Sequence, residues 1–431
     1  MTLLRLNAGP AVARPRPAVP RARRGMALAV AIFAIVVIGA LLAGAYFASS
    51  QERKIGRNTL VEQRSLNVAE YGLNFDVSNW DQSRNLEGTF PVGTVDANPR
   101  YVNQIGDTAF VSVTRLTPTN FLVVSSGRAN IDNASTQAFR RTSMMVQIAY
   151  PSVKLAGALV SAGQVRLGGS GAIVGFDKDP AGWGGECDPY ATANLAAIAV
   201  GSADMLKMKN TDSVYAEPTA SNPNGAFAPE GSGIMQITPV ASTPSTYISY
   251  GSESWETLKA NADIKLPATF NTSPAPSLVA GTTKCDRTNV ANWGQINHVN
   301  TTAAPNAFAD CIKYYPIIYA PGDLSISGGT GQGILMVNGN LTVNGGFEFD
   351  GLVIVKNELK KGNGTATIRG GVMVAGANIN CTVLGSNGQC MEVVDMTGTI
   401  TIAYSKCAVE NALRGSAILV PVKQRSWAQL Y

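Results

Sequence analysis

Few groups in this chain are suited to acid–base or metal chemistry, and they are scattered. Within the glycine-rich stretch 316–380 the acids are Asp323, Glu348, Asp350 and Glu358, with Lys356 among them. A glycan-cleaving site on a β face needs clustered carboxylates, one to donate and one to accept a proton. Glu348 lies between Phe347 and Phe349, so strand alternation turns it to solvent if the phenylalanines point inward, and Asp350 shares its face if the strand extends that far. Two acids so placed read as a solvated surface, and no catalytic residue is assigned. Asp177, Asp179 and Asp188 offer oxygen ligands of the kind calcium takes, but their spacing fits no calcium loop and reads as turn chemistry. His298 is the single histidine of 431 residues, in the polar run NWGQINHVN. A histidine-based triad or multi-histidine zinc centre therefore has little to draw on, and an exposed surface position is expected for it. No cofactor and no metal are expected.

The six cysteines follow residue 180 and none forms a C-x-x-C pair. An even number of cysteines outside the cytoplasm reads as up to three disulfides. Cys381 and Cys390 bracket the polar loop TVLGSNGQ and are expected to close it. Cys187, Cys285, Cys311 and Cys407 are left unassigned.

The segment that decides where this chemistry resides is 26–48, a run of 23 residues without a charge, behind a leader (1–25) with six arginines and no acid. As a helix it spans about 34 Å, enough to cross a hydrocarbon core of about 30 Å. The arginines place the leader in the cytoplasm, in reach of anionic lipid. The rest of the chain is then exported, and a cleaved signal peptide at Ala43-Gly44-Ala45 is the alternative. Removing the leader's arginines leaves 28 basic residues against 29 acidic ones, so no nucleic-acid-binding face is expected. Residues 49–78 lack proline and carry Ile55, Leu66, Ala69 and Leu73 at helical spacing, which predicts a helical extension. Gly56 and Gly72 weaken that prediction.

RRGMALAVAIFAIVV, QERKIGRN and NVAEYGL together resemble the amino-terminal region of PilX-type minor pilins and related pilus-assembly proteins, over residues 21–75. In that resemblance Gly25 matches the glycine after which a prepilin peptidase cuts, and Met26 becomes the first mature residue. Glu52, Gly56 and Asn58 match the juxtamembrane pattern, with Arg57 intervening, and Ala69-Glu70 match a later A-E pair. Major pilins carry a glutamate five residues into the mature chain, where Val30 stands here. The resemblance implies a single-pass inner-membrane protein with pilus or secretion-type assembly proteins and other pilin-like subunits as partners.

Beyond residue 79 the pattern turns to β. AFVSVTRL and TNFLVVSSG alternate, while STQAFRRTSMMVQIAY suits a strand or a helix. GALVSAGQVRLGGSGAIVG (157–175) recurs as GILMVNGNLTVNGGFEFDG (333–351), with glycines at matching offsets. Strands beginning at Pro316, Gly333, Gly351 and Gly371 are spaced 17, 18 and 20 residues apart. Short strands repeating at that period predict a β-solenoid, with an antiparallel sandwich as the alternative. The expected architecture is mainly β: a long transmembrane helix, a β region (79–176) ending in a first coil, a partly helical insertion (177–312), and the main solenoid with its cap (313–431). Within the insertion ATANLAAIAV suits a helix or a buried strand, and a helix is expected after Ser252. Pro421 confines the last apolar run to an edge, and Trp427 and Tyr431 are expected to cap the stack. The function expected is that of a non-enzymatic structural component of a pilus-like system. A surface adhesin that binds carbohydrate or protein, with the insertion as its recognition element, is the alternative, and a polysaccharide-active enzyme the more distant one.

Overall fold

The computed structural model describes residues 26–97, 100–102, 106–131, 136–169, 171–201, 205–207, 213–215, 234–236, 247, 249–251, 253–376, 392–396, 398–422 and 426–430. Two compact units share the chain, one of residues 1–64 with 129–138 and the other of 65–128 with 139–431.

A single helix, α1 (Met26–Ser78), runs through the apolar segment and its extension. Over 27–49 its apolar side chains are bare, with Leu28, Val30, Phe33 and Ile35 each more than half exposed. That is the surface a helix presents when lipid and not protein is its solvent. Gly56, a weak point by propensity, has open space where a Cβ would be.

In the second unit the foot of α1 lies on an antiparallel sheet, and there a glycine has a structural reason. A Cβ on Gly72 would collide with Ala109 and approach Ser125 Oγ to 2.9 Å. Across the contact, a Cβ on Gly127 would strike the Ser65 carbonyl. The two glycines let helix and strand backbones meet. The sheet runs Val95–Asp96, Thr108–Arg115, Asn120–Ile131, Thr136–Ala149, so STQAFRRTSMMVQIAY is a strand. Its last strand also pairs with Ile418–Pro421 and Trp427–Leu430. The carboxy-terminal run therefore completes this sheet and does not cap a stack, which corrects the expectation for Trp427; Tyr431 lies outside the described residues. Leu73 of α1 joins Val111, Val113, Phe121, Val123, Val146 and Ile148 in the core beneath.

Apart from the short antiparallel pair Ser249–Tyr250 with Glu253–Ser254, the remaining described strands form two parallel sheets. Ile317 stands opposite Ile334, Ile334 opposite Leu352, and Leu352 opposite Gly371. Between them, Asp323–Ile326, Leu341–Val343 and Leu359–Lys361 pair with one another in a second parallel sheet. Successive strands thus alternate between sheets. Leu335, Val337, Leu341, Val343, Phe347 and Phe349 fill the space between. Where the chain turns a corner, Gly333, Gly351 and Gly370 stand in register with φ of +109°, +140° and +136°. A side chain there is strained by conformation, and on Gly351 it would meet the Gly333 carbonyl.

The order of pairing is not the order of the chain. Gly157–Ser161 pairs with Thr365–Val374 on one side and Ala196–Val200 on the other. Gln164–Leu167 pairs likewise with Glu392–Met396 and Leu206–Lys207. Ile264–Lys265 and Thr269–Thr272 extend the opposite end, against Ile317–Ala320 and Asp323–Ile326. The stretch 177–312 supplies strands to both sheets. ATANLAAIAV contains the fully buried strand Ala196–Val200. The expected helix is a short one, α2 (Trp255–Ala260), capped by Ser254 and Thr257. A third helix, α3 (Lys406–Gly415), lies on the outer face of the first parallel sheet. Ala408, Ala412 and Leu413 of α3 cover Ile334, Met336, Leu352 and Ile354.

Candidate functional site

The residues singled out in the amino-terminal region fall on α1. Met26 is its first residue. Glu52, Gly56 and Asn58 are exposed, Ala69 is buried and Glu70 is half-buried. Gly25 lies outside the described residues, as do Cys381 and Cys390. The other four cysteines pair as Cys187–Cys407 and Cys285–Cys311. The first of these ties the turn after Trp183 to α3, and the second closes the 285–311 loop.

Two buried charged clusters near the foot of α1 had no signal in the sequence. Asp76 is 1% exposed and holds Arg84 at 3.0 Å and the Tyr101 hydroxyl at 2.7 Å. Arg84 also reaches Asp96 at 2.7 Å and lies over the Trp80 ring. Arg115 is fully buried without a carboxylate in contact, and donates to the carbonyls of Arg84, Asn85, Phe90, Thr117 and Pro118. Burial pulls its guanidinium down to about 10. Such a cation gathers a loop through the number of its donors and not through charge pairing.

On the parallel stack Glu348 is outward and half-exposed, as alternation predicts, and meets Arg369 at 3.1 Å. Asp350 is not the solvated acid expected. Its side chain is 0% exposed and bound to Arg369 at 2.6 Å. The cause is tertiary, because Gly351 abuts Ala412 of α3 and a loop covers the neighbouring rung. Burial raises the Asp350 carboxyl to about 6, outweighing the opposing pull of Arg369.

His298 also departs from expectation. Its side chain is 0% exposed, stacked on Trp183 at 4.1 Å between ring centroids. Nδ1 lies 3.0 Å from Glu186 Oε2 and Nε2 lies 3.0 Å from Gln332 Oε1. The polar run around it misled because a single histidine carries no periodicity from which burial can be read.

Asp177 accepts from the backbone N–H of Ala193 and of Lys406, 16 and 229 residues away, so it ties distant segments together and does not close the local turn expected. Burial, and then the charges of Asp177 and Asp188, raise the Asp179 carboxyl. The sulfurs near Asp179 are those of Cys187 and Cys407, which are bonded to each other and so are not thiolate ligands. On the outer face of the second sheet a shallow groove of about 320 Å³ is lined by Thr269, Asn271, Asp323, Asn340, Thr342 and Lys360.

The fold and these sites define a mainly β protein on a long amino-terminal apolar helix. No protein-family model matches the chain, and no curated protein matches it. Among solved structures, the competence-associated pilin ComZ from Thermus thermophilus aligns with 86% of this chain and 97% of its own. The identity is 11% and the TM-score 0.24, too low to argue from.

Proposed function

We propose that this chain is a membrane-anchored, pilin-like assembly component, related to PilX-type minor pilins, whose β-solenoid ectodomain works by protein contact and not by catalysis. The observation that carries this is the double character of α1. One stretch of the helix exposes apolar side chains and the next is seated by glycines on an antiparallel sheet. The charged leader favours retention in the inner membrane with the amino terminus in the cytoplasm. Alternation of consecutive strands between two parallel sheets supports the solenoid reading. Partners are other pilin-like subunits or envelope assembly proteins. Substitutions confined to 26–75, such as Glu70→Arg, are expected to abolish pilus assembly while the exported domain stays folded. Normal assembly with each such variant contradicts this reading.

The groove on the second sheet, lined by Phe270 and Leu324 as well as polar side chains, supports a second reading, a surface module that binds carbohydrate or protein. In that case Asp323→Ala with Lys360→Ala removes ligand binding and leaves anchoring and assembly intact.

A further inference from the structure

Hydrogen-bond accounting around His298 points beyond a packing role. The Gln332 amide nitrogen donates to the carbonyls of Ile312 at 2.7 Å and Tyr314 at 3.0 Å. Those two acceptors fix the amide, so its oxygen faces His298 Nε2, which must carry a proton. The other ring nitrogen faces the Glu186 carboxylate, also an acceptor. A neutral imidazole has one N–H and cannot satisfy both. The ring also lies flat on the Trp183 indole, the arrangement that favours a cation.

We propose that His298 is held as the doubly protonated imidazolium and acts as a charged pin fastening the turn at Gly184–Glu186 to the parallel stack. Every titratable or charged group facing it fits this role. Glu186 supplies the counter-charge from the turn. Asp350 supplies a second negative field from the stack, with Arg369 bound to it and to Glu348. The Tyr315 ring meets His298 edge-on, its hydroxyl kept protonated by burial. The fastening rests on both ring N–H groups, each aimed at an acceptor. A ring lacking the Nδ1 proton would set a lone pair against a carboxylate, and the pin would become a repulsion. The release is local, since Cys187, next to Glu186, remains bonded to Cys407.

The single histidine makes the test direct. In the full chain, in detergent and carrying ring-15N histidine, both ring nitrogens are expected to show a bonded proton at neutral pH. The Glu186→Gln variant is expected to lose the one on Nδ1. In the Glu186→Gln variant, amide-exchange protection at residues 183–187 is expected to fall roughly 10- to 100-fold relative to residues 333–337. That range is what loss of one charge-assisted hydrogen bond of about 1.5–3 kcal/mol allows. A ring with a single proton at neutral pH in the wild-type chain overturns the proposal. So does protection at 183–187 that does not change in the Glu186→Gln variant.

Discussion

At the scale of single residues, the buried charges of this protein act through what they hold. Arg115 gathers five carbonyls from two loops. Arg115→Met keeps much of the volume and strands those acceptors, at about 1–3 kcal/mol for each one left dry. A loss of several kcal/mol in urea unfolding is expected, and a loss below about 1 kcal/mol contradicts the assignment. Asp350 gives a pH signature. Its carboxyl lies near 6 in the folded chain, above the unfolded value of about 3.9. A raised value means that its contribution to stability is complete below the unfolded value and is lost as pH rises through the folded one. Between about pH 4 and 6, wild-type stability should therefore fall relative to Asp350→Asn. A difference that stays flat or rises in urea titrations contradicts this.

At the scale of elements, glycine position separates a tolerant helix from a docked one. Gly56→Ala is expected to strengthen α1 by up to about 1 kcal/mol, the ordinary propensity difference, because nothing stands in the way of its Cβ. Gly72→Ala should instead push α1 off Ala109 and lower the thermal midpoint of the sheet. Equal effects of the two substitutions on that midpoint contradict the docking geometry. The Cys187–Cys407 bridge closes a separation of 220 residues, for which the chain-entropy limit is about 5 kcal/mol. Cys407→Ser should approach a large part of that loss in denaturant unfolding. A loss under about 1 kcal/mol means that α3 holds its place without the bridge.

At the scale of the whole chain, the repeating strands were legible because glycines at matching offsets and alternate apolar residues impose both a period and an inward face. Registers such as Ile334 opposite Leu352 follow from that pattern. The stacking order was not legible. Periodicity states that Gly157–Ser161 is a rung but is silent on its neighbours, which come from 365–374 and 196–200. The same limit explains Asp350 and His298, buried by α3 and by loops whose pairing no local spacing encodes. It also explains Trp427, whose strand joins the antiparallel sheet. The long apolar helix was legible outright, since a charge-free run of that length needs no tertiary context. The central claim is that this anchor is pilin-like and retained. The most direct measurement is mass spectrometry of the mature amino terminus from the envelope fraction. The account predicts a chain beginning at Met26; a chain that still carries its leader, or one beginning near Tyr46 and recovered free of membrane, contradicts it.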